Sequence, residues 1–74
     1  MESLMAVVRE RDGDTYYATV ENASGEIRYR LVVERMNGSW DWTAWKPGYP
    51  EVSARHGVAD TVQDAMREAE QAAQ

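Results

Sequence analysis

Three turn signals, Asp12-Gly13, Asn22-Ala23-Ser24-Gly25 and Asn37-Gly38, stand at near-regular intervals in the first half of the chain and do most to restrict its fold. Asp-Gly and Asn-Gly suit the positive φ angles of tight hairpins, and a run of such turns joined by short alternating segments describes antiparallel strands laid side by side. The segments between the turns alternate as half-buried strands do. Residues 4–8 are nearly all apolar, and a first strand is expected over 4–10. Over 15–21, Tyr16, Ala18 and Val20 face one way and Tyr17, Thr19 and Glu21 the other. Over 26–35, Ile27, Tyr29, Leu31 and Val33 oppose Glu26, Arg28, Arg30, Val32 and Glu34. Over 39–46, Trp40, Trp42 and Ala44 oppose Asp41, Thr43 and Trp45.

Pro47 and Pro50 carry no amide donor and cannot continue a central strand, so residues 47–58 read as a connecting loop. Beyond it, Asp60 or Thr61 can cap a helix, paired with Gln63 or Asp64 as in a capping box. Val58, Val62, Ala65, Met66, Ala69 and Ala73 recur near helical spacing and form one apolar stripe over a helix at 60–73. The expected fold is α+β: a four-stranded antiparallel meander with one C-terminal amphipathic helix on one face, a single domain over 1–74. One helix is about 10 Å across, whereas four strands span about 19 Å, so it cannot cover both faces. With Tyr16, Tyr29, Leu31, Trp40 and Trp42 under the helix, Tyr17, Arg28, Arg30, Val32, Thr43 and Trp45 are left on an open face, together with Met5 and Val7.

The chemistry available is limited. The absence of Cys excludes disulfides, thiolate catalysis and sulfur-ligated zinc. His56 is the single histidine, so multi-histidine metal sites are excluded, and the loop spacing of Ser53 and His56 neither orients a base against a nucleophile nor supplies an oxyanion hole. No glycine-rich phosphate loop is present. No catalytic residue, metal ligand or cofactor is assigned, and a chain of 74 residues has little room for a deep cavity. Neither a signal peptide nor a membrane-spanning run is visible, which points to the cytoplasm.

Function is therefore expected in binding. The net charge of −5 opposes sustained contact with phosphate backbones and suits a basic partner. Asp60, Asp64 and Glu68 recur at four-residue spacing, with Glu70 beside them and Arg67 as the one opposing base, giving an acidic outer helix face. Asp12, Asp14 and Glu21, with Glu10, form a second cluster at the hairpin ends. Carboxylates so arrayed can imitate nucleic-acid phosphates and occupy a Lys/Arg-rich groove. A second surface is the open sheet face, where Arg28 and Arg30 beside Tyr17 and Trp45 could stack single-stranded bases, or where two copies of the chain could meet as a homodimer.

In format, a short acidic single domain without Cys or catalytic motif, the chain resembles the phage and mobile-element inhibitors of the anti-CRISPR type. That resemblance implies a bacterial host cytoplasm and stoichiometric binding to a CRISPR effector complex, with DNA mimicry as the mechanism. Locally, Gly57-Val58-Ala59-Asp60-Thr61-Val62-Gln63-Asp64-Ala65 resembles the sheet-to-helix entry of HicB-type antitoxins, which implies neutralisation of a basic toxin ribonuclease.

Overall fold

The computed structural model describes residues 6–49 and 53–73. It is an antiparallel sheet of five strands in simple sequential order, β1 (Ala6–Asp12), β2 (Thr15–Glu21), β3 (Ile27–Met36), β4 (Ser39–Trp45) and β5 (Arg55–Ala59), followed by helix α1 (Val62–Ala72). The α+β meander-plus-helix architecture is the one the alternation implies.

The turns explain the register. At Asn37-Gly38 both residues have positive φ, 50° and 85°, the pattern of a type I′ turn, and Met36 pairs with Ser39 across it. Gly13 has a φ of 62° and is the first of two loop residues between paired Asp12 and Thr15, which is where a type II′ turn needs glycine. The strand therefore runs to Asp12, two residues past the expected end. In the second hairpin the Asn22 side-chain oxygen accepts from the Ser24 and Glu26 amides at 2.9 and 3.0 Å, holding the 22–26 loop closed. The β2–β3 register shifts between Val20 and Glu21, which pair with Tyr29 and Ile27, so Arg28 stands at a bulge.

The fifth strand corrects the expected loop over 47–58. Lys46-Pro47-Gly48-Tyr49 does turn the chain, with Gly48 at φ 85° and the Tyr49 amide donating to the Lys46 carbonyl at 3.2 Å. The Lys46 ammonium lies over the rings of Tyr29 and Tyr49, 5.7 and 5.0 Å from their centres. After this excursion the chain returns, and 55–59 pairs with β4 from Ala44↔Arg55 to Trp40↔Ala59. A central glycine and two charged or polar residues gave the segment no strand signature, because its place in the sheet comes from packing. Trp42 lies opposite Gly57, and its indole covers the position a Cβ would take.

Of the two candidate caps of helix α1, the structure uses the second. Thr61 is the N-cap, its hydroxyl accepting from the Asp64 amide at 3.1 Å, so Asp60 precedes the helix and does not share a helical face with Asp64 and Glu68. Val58, read as part of the helical stripe, lies in β5 and is 62% exposed. The helix packs over β3, β4 and β5. Ala65, Ala69 and Ala73 are fully buried, and their small side chains bring the helix backbone close to the sheet. The sheet supplies the bulk: Leu31, Val33 and Trp42 are buried beneath it with Ala18, Val20, Ala44 and Ala59. Val7 pairs with Val20 and packs against this core, so it does not belong to the open face; Met5 lies outside the described residues.

Candidate binding surfaces

Residues directly opposite one another in an antiparallel pair project to the same face, so the register gives the composition of the open face row by row. One row runs Asp12, Thr15, Glu34, Asp41, Val58. The next runs Glu10, Tyr17, Val32, Thr43, His56, and the third Val8, Thr19, Arg30, Trp45. No element lies over these rows among the described residues. Val8, Tyr17 and Val58 are 46%, 45% and 62% exposed, while Val32 and Trp45 are half-buried by their own neighbours. At the β3–β4 hairpin Met36 adds a further exposed apolar side chain.

The face is polarised along the strands. Asp12, Glu34 and Asp41 occupy one row, and Glu34 lies directly across from Asp41. Two like charges so placed repel each other in the free protein. Arg30 stands two rows away with Arg28 at the bulge beyond it, and Tyr17 and Val32 lie between. Glu21 accepts from the Thr19 hydroxyl at 3.3 Å, and His56 Nδ1 is 3.4 Å from the Thr43 hydroxyl. The constellation of Tyr17, Arg28, Arg30 and Trp45 is thus gathered on one face, with Arg30 directly opposite Trp45. Carboxylates outnumber the bases around it.

The opposite side of the sheet has the reverse charge. Arg9, Arg11, Arg35 and Arg55 all project there, opposite Ala18, Tyr16, Trp40 and Ala44. Arg11 lies over the Tyr16 ring at 5.2 Å, and Tyr16 meets Trp40 edge to face at 5.8 Å. Arg9 reaches the helix and forms an ion pair with Glu70 at 2.6 Å.

That pairing changes the reading of the acidic helix. Its carboxylates are engaged within the molecule. Glu68 accepts from the indole N–H of Trp42 at 3.1 Å, Glu70 is held by Arg9, and Asp64 pairs with Arg67 at 2.7 Å while its amide is bonded to Thr61. Glu68 and Glu70 flank buried Ala69, so both stand at the border between helix and sheet and not on the outer surface. Asp60 and Asp14 are exposed, the first before the helix and the second in the first hairpin turn. Sequence spacing aligns carboxylates with one another; it does not show their angle to the buried stripe. The alanines at 65, 69 and 73 were the available signal, since so narrow a stripe makes the residues on either side of Ala69 its borders.

These contacts predict that Glu68→Ala acts on stability. Loss of the charged acceptor should cost about 1–2 kcal/mol, whereas Glu70→Ala, which frees an Arg9 side chain already 58% exposed, should cost about 0.5 kcal/mol or less. Urea unfolding followed by tryptophan fluorescence measures both.

Comparison with protein-family models, with curated proteins and with solved structures returns no match. Among the described residues no group of three or more His, Cys, Asp or Glu side chains is arranged to hold a metal ion, and no helix is long and apolar enough to cross a membrane.

Proposed function

We propose that this chain is a non-enzymatic binding protein that docks on a basic surface of another protein through the open face of its sheet. The observation that supports it best is the row Asp12–Glu34–Asp41, which ends at exposed Val58 and has exposed Tyr17 in the next row. A cation arriving between Glu34 and Asp41 relieves their repulsion, and the neighbouring apolar side chains supply area that leaves water on contact. Polar rims steer association and set specificity, and apolar centres hold the complex. The helix carboxylates Asp64, Glu68 and Glu70 serve mainly to fasten the helix, and Asp60 and Asp14 extend the acidic character at the margins.

A basic nucleic-acid-handling site fits this surface, and a CRISPR effector complex, implied by the resemblance in format, is the leading partner. Inhibition would be steric and electrostatic, the acidic face occupying a groove that otherwise receives target DNA. A toxin ribonuclease would offer the same kind of basic surface to a HicB-like antitoxin.

The test is a titration of the protein against purified guide-loaded CRISPR effector complexes, reading target-DNA binding. Loss of DNA binding at stoichiometric protein is expected, and a Glu34→Lys/Asp41→Lys double variant should inhibit about 10-fold less well or worse, mainly through slower association. An absence of inhibition, or inhibition unchanged by the charge reversal, would contradict the reading. A shift of short single-stranded oligonucleotides that depends on Arg30 and Trp45 would move the function to nucleic acid.

A further inference from the structure

We infer that the open face is self-complementary and that the free protein pairs with a second copy of itself there, so that a partner must displace that copy. The inference rests on the reading that this face is the docking surface. It follows from the order of rows. On β3, Glu34, Val32 and Arg30 lie in successive rows with Val32 in the middle. A twofold axis laid between two stacked sheets, along the row Glu10–Tyr17–Val32–Thr43–His56, reverses the strand direction and leaves each strand over its own copy. Glu34 of one copy then faces Arg30 of the other, twice, and Val32 and Tyr17 meet their own equivalents at the centre. The alternative axis, parallel to the strands, would set Arg30 against Arg30 and Glu34 against Glu34, so charge selects the first arrangement. Such an isologous contact is the commonest way for a chain to associate with itself, and sheets stacked face to face lie about 10 Å apart, within reach of paired Arg and Glu side chains. The like-charge encounter on the axis, Glu10 with its own copy, falls on edge strand β1, where water screens it.

The size of the face makes this a weak and exchanging dimer. Five strands about 4.8 Å apart, on average about seven residues long at about 3.3 Å per residue, give roughly 550 Å² on each copy, below the approximately 800 Å² per partner of a stable interface. A pairing of that strength protects the apolar face at high concentration and yields to a tighter, more basic partner.

Sedimentation equilibrium over a wide concentration range tests it. The wild-type protein should approach twice the monomer mass as concentration rises, Arg30→Glu should remain monomeric at least about 10-fold higher in concentration, and Arg30→Glu/Glu34→Arg should regain the dimer. Circular dichroism verifies that each variant folds, and Arg30 is exposed, which favours tolerance. A wild type that stays monomeric throughout, or a dimer indifferent to Arg30→Glu, would overturn the inference. Because mass is read without any partner, neither result depends on whether a CRISPR effector is bound.

Discussion

Gly57→Ala is expected to destabilise the protein by about 2–4 kcal/mol, although alanine in place of glycine in a strand ordinarily stabilises by a few tenths to 1 kcal/mol. A Cβ at residue 57 would stand 2.4–2.5 Å from Cε2, Nε1 and Cζ2 of Trp42. The indole has nowhere inexpensive to go. It is buried to 8% exposure between the sheet and the helix, and its N–H is bonded to Glu68. Either Trp42 leaves its rotamer and loses that bond, or β5 draws away from β4. Overpacking of a dense core costs about 1–3 kcal/mol and the lost hydrogen bond about 1 more. Urea unfolding gives the value, and Trp42→Leu should absorb most of the Gly57→Ala cost in a double-mutant cycle. A neutral Gly57→Ala would show that the indole does not lie where the structure has it.

Leu31→Ala should be as severe, at about 3–5 kcal/mol. Leu31 is 1% exposed on the central strand, and its neighbours in the row, Ala18 and Ala44, are small. The helix above contributes alanines at 65, 69 and 73. A single large side chain therefore fills this row, with alanine on either side of it and alanines above, so its removal leaves a cavity. A domain of this length has a total stability of roughly 4–11 kcal/mol, so the variant should lose at least about a quarter of it and melt well below the wild type. Val32→Ala, one residue along but on the open face, should cost less than about 1 kcal/mol. Thermal unfolding by circular dichroism measures the pair; equal costs would mean that both faces of β3 are covered.

The same contrast shows how far the sequence could be read. Asp12-Gly13 and Asn37-Gly38 mark hairpins because their φ requirements are local, and the alternation of 27–33 marks a face because side-chain direction is fixed by pleat. These two signals yield the meander and the open-face members of β2, β3 and β4, but not those of β1, where the unbroken apolar run 4–8 carries no alternation and Val7 belongs to the covered face. They do not yield β5. Arg55-His56-Gly57-Val58-Ala59 has neither alternation nor strong strand propensity, and Gly57 is required by a tryptophan fifteen residues away in the chain. Strand pairing also decides which open-face residues are neighbours. The juxtaposition of Glu34 with Asp41, or of Arg30 with Trp45, depends on a register that the turns set. On the helix, a four-residue repeat of carboxylates described their mutual alignment but missed that Glu68 and Glu70 border the sheet, where Trp42 and Arg9 take them up.

Charge placement follows from these contacts. On the covered side Glu70 is matched by Arg9, while the acids of the Asp12–Glu34–Asp41 row on the open side have no ion pair among the described residues. Net charge alone could not distinguish the two locations, because both contribute to the same −5.

The most direct test of the open face as the docking surface is a map of backbone amide chemical shifts during titration with a short peptide of alternating lysine and leucine. The perturbed amides should cluster on β2, β3 and β4 around Tyr17, Val32, Glu34 and Asp41, with shifts that weaken with salt but do not vanish, since apolar contact persists when charge is screened. Perturbations confined to Asp60, Asp64 and the outer turns of the helix would contradict docking through the open face and return the binding surface to the helix.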